Sequence, residues 1–152
     1  RDEEWQDVLS LNLTSAFYVL RESVKLMRSE GGAIVLVSSA AAQFGLASHE
    51  AIAAAKAGVA GLVRSAAATY AGNGIRVNAV SPGLVATPAT ARITGNETMR
   101  KASEALHPLG RIGAPDEVAS ALAWFLDPAN GWVTGQVLGV DGGLSAARSK
   151  RS

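Results

Sequence analysis

There is no cysteine in this 152-residue chain, which excludes disulfides and thiolate metal sites and fits a reducing compartment. There is no excess of one charge either: the formal net charge is +1, and Arg148, Lys150 and Arg151 sit at the very end, so the body is near neutral. Nothing in that balance asks for nucleic acid or an anionic membrane. No apolar run approaches the ~20 residues of a membrane span, and no signal peptide opens the sequence. A cytoplasmic location is the expectation. No internal repeat and no linker composition interrupts the chain, and with 48% apolar and 18% charged residues it has enough material for one domain with a core.

What is present alternates between helical and strand patterns. Trp5, Val8, Leu9, Leu13, Ala16, Phe17, Leu20, Val24 and Met27 recur at three and four residues, the stripe of an amphipathic helix from about Asp2 to Arg28 that stops before Gly31-Gly32. Ala33 to Ser38 is a short apolar run in which Ile34, Val35 and Val37 favour a buried parallel strand. An alanine-rich helix is predicted from about Ser48 to Ala71, with Gly72-Asn73-Gly74 as its stop. Ile75 to Val80 is the next strand, closed by Ser81-Pro82-Gly83. After an irregular stretch from Leu84, a short helix is predicted around Glu97 to Leu106, and Pro115-Asp116-Glu117 opens another that stops at Asp127-Pro128. Gln136 to Val140 makes a last strand. Right-handed crossovers would set the three strands side by side, giving an α/β fold with a parallel sheet and helices on both faces.

The ends carry their own expectations. The chain opens at Arg1 and enters a helical pattern at once, which predicts a fragment, a processed chain or an incomplete reading frame. Residues 145–152 are small, polar and basic and read as a solvated tail behind a domain of residues 1–144.

Four motifs in order go beyond topology. Ser39 is followed after thirteen residues by position 52 and after four more by Lys56; Asn12 lies in Leu11-Asn12-Leu13-Thr14; Ile75-Arg76-Val77-Asn78-Ala79-Val80-Ser81-Pro82-Gly83 ends in a Pro-Gly turn; and Pro108-Leu109-Gly110-Arg111 through Val118 precedes Thr134-Gly135-Gln136 to Asp141-Gly142-Gly143. Together they resemble the short-chain dehydrogenase/reductase family over nearly the whole chain. The resemblance implies a Rossmann-like sheet of which the N-terminal strands are missing: no Gly-x-x-x-Gly-x-Gly turn follows a strand, and no segment chooses NAD over NADP. It further implies NAD or NADP as cofactor, a small carbonyl or alcohol as substrate, and a homo-oligomer built through the two long helices. A strand at Ala33 to Ser38 without its usual neighbour would expose one bare edge.

The resemblance also assigns roles. Ser39 would hydrogen-bond the substrate oxygen, Lys56 would hold the nicotinamide ribose, Asn12 would support a relay water, and the Pro82-Gly83 turn with the Val85 main chain and the Thr87 hydroxyl would meet the nicotinamide carboxamide. The family's proton donor is a tyrosine four residues before the lysine. Here Ile52 stands there. Four residues beyond Tyr18 is Glu22 and four beyond Tyr70 is Gly74, so no other Tyr-x-x-x-Lys exists.

His49 lies about one helical turn before Ile52 and could donate a proton near neutral pH. Its plainer reading is a solvated first-turn residue beside Glu50. Each of the others has an ordinary alternative: Ser39 as a turn serine, Lys56 as a snorkelling lysine, Asn12 as a structural amide, Pro82 and Gly83 as a simple turn. His107 reads as a loop residue, and no second histidine or cysteine gives it metal-like spacing, so no metal site is expected. Two functions follow: an NAD(P)-dependent oxidoreductase with an atypical site, or an inactive relative used for binding or assembly. A truncated product with no independent function is the third.

Overall fold

The N-terminal apolar stripe folds as one helical rod in three parts, α1 (Asp2–Leu9), a π-helical segment (Ser10–Thr14) and α2 (Ser15–Met27), in a computed structural model that describes residues 1–148. The sequence pattern predicts an unbroken α-helix here, and the π segment corrects it. The break falls at Asn12, a polar residue in the apolar stripe, whose Nδ2 donates to the Val8 carbonyl at 3.1 Å and so competes locally with the backbone ladder. Only Leu20 and Val24 of the stripe are fully buried, while Trp5 and Phe17 stay exposed.

The rest of the order is β1 (Gly32–Val37), α3 (Glu50–Tyr70), β2 (Ile75–Pro82), α4 (Ala91–Thr94), α5 (Glu97–Leu106), α6 (Pro115–Leu126) and β3 (Val137–Val140). The three strands are parallel in the order β1-β2-β3, with Gly32 opposite Ile75 and Ala79 opposite Val137. The expected side-by-side arrangement is therefore found. The tight turn into β1 depends on Gly31, whose φ of +74° is left-handed and where a Cβ would lie 2.7 Å from the Gly74 carbonyl oxygen.

Ile34 and Leu36 from β1 and Ile75, Val77 and Ala79 from β2 alternate onto one face, where they meet Leu20 and Val24 of α2 and Val59 and Val63 of α3. Val59, Val63 and Val77 are wholly buried, and each such side chain contributes roughly 1.5–3 kcal/mol. By length and composition the stretch Glu50–Asn73 also reaches the threshold for a membrane span, which qualifies the sequence expectation, but its valines are buried in this core. Helix α6 packs on β1 and β2, with Phe125 buried.

The Gly32 N–H donates to Gly74 and the Ser38 N–H to Val80, both toward β2. By alternation the main-chain groups of Ala33, Val35 and Val37 point the other way. Among the described residues no strand pairs along that edge.

Residues 145–147, expected to begin a solvated tail, are held in turns: the Ser145 N–H and hydroxyl bond Asp141, and the Ala146 and Ala147 N–H groups donate to the Gly143 carbonyl. Residues 149–152 of the expected tail lie outside the described residues.

Candidate functional site

Parallel strands deliver their following loops to one edge of the sheet, the place where open α/β sheets collect reactive groups. At the end of β1, buried Ser38 donates its hydroxyl to the Lys56 carbonyl at 2.9 Å, stapling the strand to the second turn of α3. Ser39 is extended, with φ −160°, and its Oγ accepts the Ala41 N–H at 3.2 Å, capping the short turn Ala40–Ala42. That bond uses a lone pair and leaves the hydroxyl proton free to turn toward a ligand.

Lys56 reaches back to the same strand end, where Nζ donates to the Val37 carbonyl at 3.1 Å. Burial disfavours the ammonium and pulls the lysine pKa below its ordinary value. Two of its three N–H donors remain for a ligand. Ile52, partly buried one turn earlier, presents only hydrocarbon. The π segment lies against α3: a Cβ on Gly58 would come within 2.8 Å of the Leu13 side chain. Asn12 is thereby held in the segment that packs on the lysine's helix, its amide N–H given to Val8 and its oxygen left to accept.

His49 stands apart. It is exposed, its Nδ1 donates to the Ala47 carbonyl at 2.7 Å, and among the described residues no hydrogen bond joins it to Ser39, Lys56 or Asn12. With Nδ1 carrying the proton, the neutral ring has only an acceptor at Nε2 and can donate there only as imidazolium.

The second half of the site follows β2. The Gly83 N–H donates to Val140 at 3.2 Å, the Ala86 N–H to Gly113 at 3.0 Å, and Gly113 returns its N–H to Leu84 at 2.9 Å, which lays Val85 beside Gly113. Thr90 fixes the next residues, accepting the Thr87 N–H at 3.0 Å and donating its own hydroxyl to the Val85 carbonyl. The Thr87 hydroxyl then donates to Thr90 Oγ1 at 3.2 Å, so its lone pairs are what it can offer. Val85 is buried, yet its N–H has no hydrogen-bond partner among the described residues. A free main-chain donor two residues before a hydroxyl acceptor is a pattern that a primary carboxamide can satisfy from both ends.

Two members were missed in the sequence. Thr90 could have been found, because Thr87-Pro88-Ala89-Thr90 has the spacing of a cap with proline in the first turn. His107, expected to be an ordinary loop residue, is 4% exposed, and its ring bonds both the Ser103 carbonyl and the Leu84 N–H. Its partner lies 23 residues away, and no local pattern announces it. Near it Arg111 grips Glu117 through both guanidinium ends at 2.8 and 2.6 Å, and the Ala114 N–H donates to the same carboxylate. These bonds hold the Glu117 carboxyl down to about 2. No cluster of three or more metal-ligating side chains occurs among the described residues.

A family profile described as "Enoyl-(Acyl carrier protein) reductase" matches residues 1–145. The chain is 43% identical, over 93% of its own length and 57% of the relative's, to cis-4-hydroxycyclohexanecarboxylate dehydrogenase of Sinomonas cyclohexanicum. It is 40% identical, over 95% and 58%, to 3-oxoacyl-(acyl-carrier-protein) reductase of Thermotoga maritima. A solved short-chain type dehydrogenase/reductase from Mycobacterium ulcerans superposes with a TM-score of 0.91 at 33% identity, covering 98% of this chain and 55% of that one. A solved chain from Agrobacterium tumefaciens with NADP bound gives 0.90 at 32% identity, covering 97% and 61%. The chain thus spans a little over half the length of the relatives it matches.

Proposed function

Because the chain belongs to the short-chain dehydrogenase/reductase family, we propose that it carries the substrate-side half of an NAD(P)-dependent oxidoreductase site for carbonyl reduction or alcohol oxidation. The observation that carries the proposal is the placement, beyond the ends of the adjacent parallel strands β1 and β2, of the free Ser39 hydroxyl proton, the Lys56 ammonium, the unpartnered Val85 N–H and the Thr87 acceptor. NAD(P) would supply or take the hydride. Ser39 would donate to the substrate oxygen, Lys56 would bond the ribose hydroxyls, Val85 and Thr87 would clasp the carboxamide, and Asn12 would accept from a relay water. Pro82 and Gly83 turn the chain so that Val85 faces the site. Residues 1–144 would form the C-terminal part of a Rossmann-type domain, cytoplasmic and paired with a second copy through α1–α2 and α3.

The weak point is the proton. Loss of a general acid costs on the order of 10²–10⁴ in rate, and Ile52 supplies none. His49 as imidazolium is the candidate replacement. The competing reading, an inactive relative retained for binding or assembly, is favoured by the lack of any hydrogen bond from His49 to the other site residues.

Turnover of cyclohexanol and 3-oxoacyl substrates with NAD and NADP, measured on the full-length protein and its Ile52→Tyr and His49→Ala variants, decides between them. A gain of about 10²-fold or more in Ile52→Tyr supports an otherwise intact oxidoreductase site. No turnover in either the native protein or Ile52→Tyr, with folding and cofactor binding preserved, would sink it. Loss of native activity in folded His49→Ala identifies the substitute acid, and unchanged activity removes His49 from the mechanism.

A further inference from the structure

We propose that His107 is a positioning residue that latches the Gly83–Thr87 turn to the end of α5, and that it does so only as a neutral ring. The inference rests on the reading of that turn as the carboxamide clasp.

The ring stands at the end of α5 with both nitrogens committed. Nδ1 donates to the Ser103 carbonyl at 2.7 Å, a bond that requires the proton on Nδ1. Nε2 then has its lone pair, and it accepts the Leu84 N–H at 3.2 Å. Leu84 immediately precedes Val85, and its carbonyl takes the Gly113 N–H that lays Val85 in place. One ring therefore ties α5 to the residue next to the unpartnered donor. The approach is close enough to dictate the sequence across from it: a Cβ on Gly83 would sit 2.6 Å from Nε2 and 3.0 Å from Asp141 Cα, so glycine is needed there for room.

A proton added at Nε2 would face the Leu84 N–H donor to donor and break the latch. The surroundings offer the new N–H little in exchange. Asp141 lies across Gly83 from the ring, but its Oδ1 accepts the Gly143 N–H and its Oδ2 the Ser145 N–H and hydroxyl, and no bond joins it to His107 among the described residues. On α5, Glu104 is turned to Arg100 at 3.8 Å. Beyond, in the cavity of about 760 Å³ that His107 helps to line, Arg111 and Glu117 are paired with each other. The 82–85 turn brings no titratable group. The charged ring would have to leave its place, and the clasp would lose its support.

The test is amide hydrogen exchange of the chain at pH 8 and pH 5.5, each rate normalised to the intrinsic rate at that pH, for the native protein, His107→Gln and His107→Leu. Glutamine can reproduce both bonds and does not titrate in this range. Native Leu84 protection is expected to fall about tenfold or more on acidification, to hold at both pH values in His107→Gln, and to be lost at both in His107→Leu. Native protection unchanged between the two pH values, or an equal acid loss in His107→Gln, overturns the latch. Should the variants not fold, the native ring nitrogens observed by NMR decide the matter: a proton on Nδ1 alone at pH 8 supports the latch and a proton on Nε2 overturns it.

Adding NAD or NADP to the full-length protein separates the two proposals. Shielding of residues 83–87 at pH 8 that weakens at pH 5.5 in native protein but persists in His107→Gln supports the link to cofactor. Equal shielding at both pH values in the native protein breaks that link. No shielding at either pH tells against the clasp reading itself, while the latch is judged on the exchange of the free protein.

Discussion

The ends of β1 and β2 meet the same site by opposite means. After β1 three polar bonds, from Ser38, Ser39 and Lys56, fasten the strand end to its own turn and to α3, and the position between them that should carry a proton carries a butyl group. After β2 the main chain itself is laced: Gly83 to Val140, Leu84 to His107, Ala86 to Gly113, Thr87 to Thr90. Scaffold and chemistry are therefore separable here. Isoleucine at position 52 leaves every bond of the β1 end in place, whereas single atoms added to the β2 end would collide.

The strongest challenge to that contrast is Gly83→Ala. Its methyl would meet the His107 ring and the Asp141 main chain, and a destabilisation of about 1–3 kcal/mol is expected in urea unfolding, with faster exchange across residues 83–87. A variant as stable as the native protein would mean that the β2 end yields easily. A smaller effect should appear in two serines one strand apart. Ser38→Ala removes the donor to the Lys56 carbonyl and should cost about 1 kcal/mol. Ser81 is fully buried and its hydroxyl has no partner among the described residues, so Ser81→Ala should be neutral or stabilising by a few tenths of a kcal/mol. Equal losses in both would show that Ser81 has a bound water. The least effect is electrostatic. The Glu117 carboxyl is lower in the folded chain than its ordinary 4.5, so the unfolded state binds more protons in acid. Its contribution is complete above about 4.5 and disappears as pH falls through about 2. Because the pair is exposed, the acid unfolding midpoint should differ only slightly in Glu117→Gln, and less in high salt.

Much of this architecture is legible in the sequence where a pattern repeats within one element. Pro115 and Asp127-Pro128 bracket α6 as found, and the helix predicted from Glu97 to Leu106 is α5. The π segment was hidden because an inserted residue shifts the stripe by less than its own width, and Leu13, Ala16 and Leu20 still read as one face. The turn at Pro88–Thr90 and α4 are too short to show a period. At the site, Ser39 and Lys56 were visible through their spacing, and the empty position at Ile52 through its breach of that spacing. His107 was not, since its meaning lies in a partner brought near only by the fold. The clue on the other side was Gly83, read as a turn former although the ring across from it is what forbids a side chain.

The bond from Lys56 to Val37 has one more consequence. Val37 is the last residue of β1 whose main chain faces away from β2, and its carbonyl is the acceptor that Lys56 bonds. The lysine is therefore a fastener: one of its three N–H donors ties the end of β1 to α3, whatever the other two hold. A chain without the chemistry would still use that bond, so Lys56 beside Ile52 does not by itself speak for a working enzyme.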